Sequence, residues 1–238
     1  MFATRSLAII GIFCFSCVIS EKVVCDFEDS KCLTDTAGLT FQQFIAGVPG
    51  VEPSDPLYRK YIESNLPTLS YKFFDAKLYG MKNCKVGLVK ISAKDLKYDY
   101  HVDCSHLTME ARYEINGDIG PQHLEGKGDC KVDFYDYNFH FHGDYSAKAG
   151  KEGKSHINLK THELEIVVNG KVVYDFKNLF NGDKQKSDEA HKYVNTNWKP
   201  VDESSRLDTM KAFTDTYIDH VNAYLDLTPV EELFSYEK

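Results

Sequence analysis

The stretch Leu207-Asp-Thr-Met210-Lys-Ala-Phe213-Thr-Asp-Thr-Tyr217-Ile218-Asp-His-Val221-Asn-Ala-Tyr224-Leu225 decides the fold. Its apolar residues fall at 207, 210, 213, 217, 218, 221, 224 and 225, the spacing of one helical face. At about 100° per residue they occupy an arc of roughly 140°. The charged or strongly polar residues Asp208, Lys211, Asp215, Asp219, Asn222 and Asp226 fill only about 80°. Between the two lie Thr209, Ala212, Thr216, His220 and Ala223, small or weakly polar groups that another element can approach closely. A helix with so narrow a charged stripe is covered on more than one side. The rest of the chain reads mostly as strands, so a sheet must supply the cover. A long helix inside a curved sheet encloses an elongated apolar interior, and such an interior can carry a ligand.

The strand patterning is strong. Leu107, Met109, Ala111, Tyr113 and Ile115 alternate with Thr108, Glu110, Arg112 and Glu114 within a long strand from Tyr98 to Asn116. Tyr135, Tyr137, Phe139 and Phe141 alternate with Asp136, Asn138, His140 and His142, which predicts four aromatics on one face. Phe73 to Ile91 reads as one further long strand. Two hairpins are expected downstream, one turning near Thr161-His162 and one at Asn169-Gly170, a dipeptide suited to a tight primed turn. Leu39 to Ile45 suggests a short helix, and another starts near Ser187. Val48 to Pro56 is irregular because of its prolines.

Residues 1–20 read as a secretory signal: Arg5, an apolar run from Leu7 to Val18, and a small residue at Ser20. The run is too short for a convincing membrane span. Residues 21–238 then form a single domain, with no linker or repeat to divide them. Removing Arg5 moves the formal net charge from -8 to -9. That acidic balance argues against nucleic acid or an anionic membrane as partner. Five cysteines lie beyond the signal. Outside the cell, Cys25 and Cys32 are expected to form a disulfide. Cys84 and Cys104 lie about equally far from a turn near Lys94 and would face each other across it, which leaves Cys130 over.

Catalytic motifs are missing. The chain has no Gly-x-Ser-x-Gly elbow, no His-Glu-x-x-His and no Gly-rich phosphate loop. Gly126-Lys127-Gly128 reads as a bulge or bend in a strand. His140 and His142 share a face at i, i+2 spacing, compatible with a metal, but Asp136 and Asn138 mark that face as the solvent side. Neither metal nor cofactor is expected.

Leu179-Phe-Asn-Gly-Asp183, Asn195-Thr-Asn-Trp198, the long helix and Pro229-Val-Glu-Glu-Leu-Phe234 follow one another in an order that resembles the insect takeout and haemolymph juvenile-hormone-binding family. Cys25-x6-Cys32 just after the signal, Asp55-Pro56-Leu57, Tyr79-Gly-Met-Lys-Asn83 and Tyr113-Glu-Ile-Asn-Gly117 extend the resemblance over essentially the whole mature chain. It implies an α+β fold in which a strongly curved antiparallel sheet wraps the long C-terminal helix around a lipid tunnel. It also implies a secreted, non-enzymatic carrier of juvenile hormone or a related terpenoid or fatty-acyl molecule in haemolymph or another extracellular fluid. Expression tied to feeding or daily rhythm is a further family trait. In such a tunnel Tyr113, Tyr135, Tyr137, Phe139, Phe141, Met210, Phe213, Tyr217 and Val221 would be ligand-binding wall. The contrasting reading is a secreted interaction protein with a collapsed or structurally occupied tunnel, acting through its acidic surface.

Overall fold

In the computed structural model, residues 22–150, 153–160 and 162–237 are described; the expected signal segment lies outside them. Two strands dominate. β5 (Lys97–Ile119) has 23 residues and β6 (Gln122–Ala149) has 28, and they pair antiparallel along almost their full length. At about 3.3 Å per residue the longer would span roughly 90 Å if straight. That is far more than the diameter of a compact domain of this size, so the pair must bend and twist into a trough.

Shorter antiparallel strands flank this ribbon end to end. β3 (Leu69–Tyr79) and β4 (Lys85–Ser92) follow one another along β5, with β2 (Leu57–Asn65) outside β3. Along the free edge of β6 run β9 (Val172–Phe176), β8 (Glu163–Val168) and β7 (Ser155–Leu159). A separate two-stranded ladder joins β1 (Lys22–Val24) to β10 (Ser235–Glu237). The helices are α1 (Ser30–Ala46), α2 (Lys184–Thr196), α3 (Trp198–Leu227) and α4 (Val230–Leu233). α1 begins well before the expected Leu39 because the Asp29 carboxylate caps it, accepting from Cys32 N at 3.0 Å.

Four expectations are corrected. Phe73 to Ile91 is two strands: Gly80 adopts a left-handed φ of 108°, and Asp55 accepts from Gly80 N and Lys82 N, holding a tight turn. Among the described residues neither downstream hairpin forms, because β7, β8 and β9 all pair with β6. The long edge of β6 offers more backbone partners than a local hairpin would. Thr161 itself lies outside the described residues. Asn169-Gly170 is instead a kink pressed on β6: Asn169 N donates to Asp136 O, Tyr135 N donates to Lys171 O, and a side chain at Gly170 would strike the Tyr135 carbonyl.

Tyr135 does not join the aromatic face. Asp136 sits at φ 52°, and both central strands change the face they bury at the Ser105/Asp136 position. Phe134 takes the inner place, while Tyr135 stacks on His106 outside, with ring centroids 4.5 Å apart. The fourth correction is Leu207, on the apolar arc yet 56% exposed. The side of α3 that faces water near Glu203 to Asp208 becomes covered only farther along, where β7 meets Asn222.

α3 lies in the trough as the narrow charged stripe requires. Between Thr209 and Leu225 only Lys211 and Asp219 are exposed. Its polar arc fastens it to both rims of the sheet. On the β2 side Asp208 accepts from Ser64, Thr216 from Arg59 at 3.2 Å, and His220 meets Ser54 at 2.8 Å. On the β7 side the Asn222 amide accepts from Leu159 N (2.8 Å) and donates to Leu159 O (3.1 Å). Cys25–Cys32 and Cys84–Cys104 are disulfides, the second between adjacent strands, and Cys130 is free and buried.

Phe213 is fully buried, so Phe213→Ala is expected to lower unfolding free energy by about 3–5 kcal/mol. Leu207→Ala should stay within about 0.5 kcal/mol of the parent. Urea unfolding of the two variants checks the placement of the helix; equal costs would contradict it.

Candidate functional site: two apolar cavities along the central helix

The larger cavity, about 140 Å³, lies beside the C-terminal half of α3. Phe44 from α1, Tyr98 and Tyr100 from β5, Ile157 from β7, and Tyr217 and Val221 from α3 form much of its wall. Phe234 lines it too. It is held there by an edge-on contact with Phe27 (5.9 Å) and by Cys25 N, which donates to Phe234 O at 2.8 Å. The Cys25–Cys32 disulfide thus ties Phe234 to α1 through Cys25.

Few polar atoms reach this cavity. The Tyr100 and Tyr217 hydroxyls meet at 2.7 Å, beneath parallel rings 6.4 Å apart. Burial raises both phenols well above their ordinary pKa, so they stay protonated and act only as hydrogen-bonding groups. One hydroxyl hydrogen is used in their mutual bond, and the other is left for a third oxygen or nitrogen.

The smaller cavity, about 60 Å³, lies beside the N-terminal half of the same helix. Tyr71, Phe73, Phe134, Tyr174 and Met210 give it an apolar wall, into which Asp202 brings a carboxylate. Asp202 Oδ1 accepts from the buried Tyr137 hydroxyl, and Oδ2 has no hydrogen-bond partner among the described residues. The Arg206 guanidinium stands 3.4 Å from Oδ2 and supplies part of the compensation a buried charge needs.

The expected wall residues fall into three groups. Tyr217 and Val221 line the larger cavity, and Met210 lines the smaller. Tyr137, Phe139, Phe141 and Phe213 are buried but face neither. Ring contacts run from Phe134 through Tyr137 (5.2 Å), Phe139 (6.2 Å) and Phe141 (6.5 Å) to Tyr217 (5.8 Å). That chain, with Phe213, fills the span between the two spaces. Tyr113 is buried elsewhere, its hydroxyl donating to Lys177 O at 2.7 Å, and Tyr135 is outside. Sequence reasoning does not single out Phe44, Tyr100 or Asp202. Tyr98 and Tyr100 alternate with Asp99, a signal that is present but short; a buried aspartate on a helix leaves none.

Nothing in either cavity pairs a nucleophile with a base. Burial pushes the Cys130 thiol up to about 12, so it stays protonated and inert. On the outer face of the sheet, His101 joins His140 and His142 as the three-histidine group among the described residues.

Burial also raises the Asp202 carboxyl above the ordinary range, against the opposing pull of Tyr137 and Arg206. A raised folded-state pKa gives stability that is full below the unfolded value and is lost as pH rises through the folded one. Wild type should therefore gain on Asp202→Asn as pH falls from about 7 toward 4. Urea unfolding across that range measures the difference; a flat difference would contradict a buried, titrating Asp202.

The sequence profile described as haemolymph juvenile hormone binding protein (JHBP) matches residues 9–235. The circadian clock-controlled protein daywake of Drosophila melanogaster is 27% identical over 191 residues, covering 74% of this chain and 73% of its own. Daywake of Drosophila yakuba matches to the same extent. The crystal structure of Epiphyas postvittana Takeout 1 superposes with a TM-score of 0.83 at 27% identity, covering 87% of this chain and 96% of its own. With trough, buried helix and apolar cavities all in place, the chain belongs to the haemolymph juvenile hormone binding protein family.

Proposed function

We propose that the protein is a secreted carrier that holds an elongated hydrophobic ligand, juvenile hormone or a related terpenoid or fatty-acyl molecule, along α3. The observation that carries this reading is the pair of apolar cavities sharing one buried helix as wall. Secretion is supported by the signal-like leader and two disulfides, a chemistry of oxidising compartments. No helix among the described residues is long and apolar enough to cross a membrane. The daywake relatives' description as clock-controlled supports expression under daily control.

Size sets how the ligand enters. An apolar cavity of about 150 Å³ accepts a benzene-sized group, so the larger space takes one ring or chain end as it stands. A longer ligand reaches the smaller space by turning aside Phe141 or Phe213. Its gain is about 0.8 kcal/mol per buried CH₂, less the cost of association. The spare hydroxyl hydrogen of the Tyr100–Tyr217 pair suits an ester, acid or ketone oxygen at one end. The filled span between the cavities favours a second reading, in which the interior is structural and the acidic surface makes the functional contacts.

Organic extraction and mass spectrometry of protein from its native source separates the two. A bound apolar molecule and saturable displacement of a fluorescent fatty acid are expected. An empty extract with no displacement would favour the second reading. Tyr217→Phe should weaken binding of an oxygen-bearing ligand about two- to tenfold, the worth of one hydrogen bond. A fully apolar probe should show no such loss.

A further inference from the structure

The outer face of the sheet carries a group of side chains that the carrier reading does not use. On β5, Asp99, His101 and Asp103 point the same way, and on β6 His142, His140 and Asn138 stand directly opposite them. On β8, Glu163 and Glu165 stand opposite His142 and His140 from the other side. The His101 and His140 rings stack with centroids 3.8 Å apart, and His142 meets His101 edge-on at 6.0 Å. One nitrogen from each of the three lies within 4.8 Å of the other two.

We propose that His101, His140 and His142 bind a divalent transition-metal ion, with water in the fourth position. Imidazole nitrogen suits Zn²⁺ or Cu²⁺ rather than Mg²⁺ or Ca²⁺. Tetrahedral Zn²⁺ at about 2.0–2.1 Å from each nitrogen requires nitrogens roughly 3.3 Å apart. The His101 and His140 rings, now stacked face to face, must turn out of that stack to aim their lone pairs at one ion, a rotation that their partly exposed positions leave room for. The surrounding groups prepare the ligands. The Asp99 carboxylate is bonded to His142 Nδ1 and orients that ring, leaving Nε2 as the nitrogen available to an ion. The Glu165 carboxylate lies 3.8 Å from His140 Nδ1, within ion-pair distance. Glu163 and Glu165 bring negative charge to the histidines from β8, while Asp99 and Asp103 stand opposite Lys90 and Lys85 of β4. The site backs directly onto Phe139 and Phe141, so a bound ion would cross-link the two strands that carry the aromatic wall.

The test uses full-length mature protein without a polyhistidine tag. Calorimetric titration with Zn²⁺ near neutral pH should show one saturable site, with no heat from Mg²⁺. Cu²⁺ should give an electron paramagnetic resonance spectrum with coupling to several imidazole nitrogens. His101→Gln and His140→Gln should each weaken Zn²⁺ binding about tenfold or more. The substituted side chains face outward, so circular dichroism should be unchanged. Absence of saturable Zn²⁺ and Cu²⁺ binding would overturn the proposal. So would full affinity in the His101→Gln/His140→Gln double variant, which would put the ion elsewhere.

Discussion

The structure depends on the seating of α3 in the trough of the sheet. Two long strands bend because they are too long to lie flat, and bending alone would leave a wide apolar trough open to water. Phe213 and Tyr217 fill it. The opposite side of the helix anchors to the rims, where Asp208 and Thr216 reach β2 and Asn222 bonds both backbone groups of Leu159 on β7. Hydrophobic burial is non-directional. The rim hydrogen bonds are what set the rotation and depth of the helix, and hence which side chains meet the cavities.

That arrangement explains how one interior serves as both core and pocket. Where aromatic rings touch in series from Phe134 to Tyr217, the interior is packed. At either end, against α1 and against α2, the helix and sheet diverge and space remains. Each space receives very little polarity: a tyrosine pair in one, a carboxylate with one oxygen outside any hydrogen bond in the other. Few polar groups in an apolar wall are how a pocket orients a ligand without losing affinity to desolvation.

Much of this is legible in the chain. The 3.6-residue spacing of Met210, Phe213 and Tyr217 and the width of the charged stripe predict a helix covered on several sides. Period-two patterning locates β5 and, within β6, the stretch from Tyr137 to His142. What fails is whatever depends on a single backbone angle or a long-range competitor. Alternation extended through Asp136 points Tyr135 inward, and the left-handed φ of Asp136 breaks that alternation. Asn169-Gly170 has hairpin chemistry, but the edge of β6 is a stronger partner than the next local strand. His101 gives no warning, since its meeting with His140 depends on cross-strand register. Leu207 lies on the apolar arc, and only the position of the rim decides that it meets water.

On the carrier reading we propose, the two cavities are ends of one ligand path along α3, closed in the middle by aromatic side chains. A crystal structure of the protein with a long-chain apolar ligand tests it most directly. Continuous density from Tyr217 to Met210, with Phe141 or Phe213 turned to a new rotamer, is the predicted result. A ligand confined to the outer surface, or an interior whose aromatic span is unchanged at saturating ligand, would contradict it.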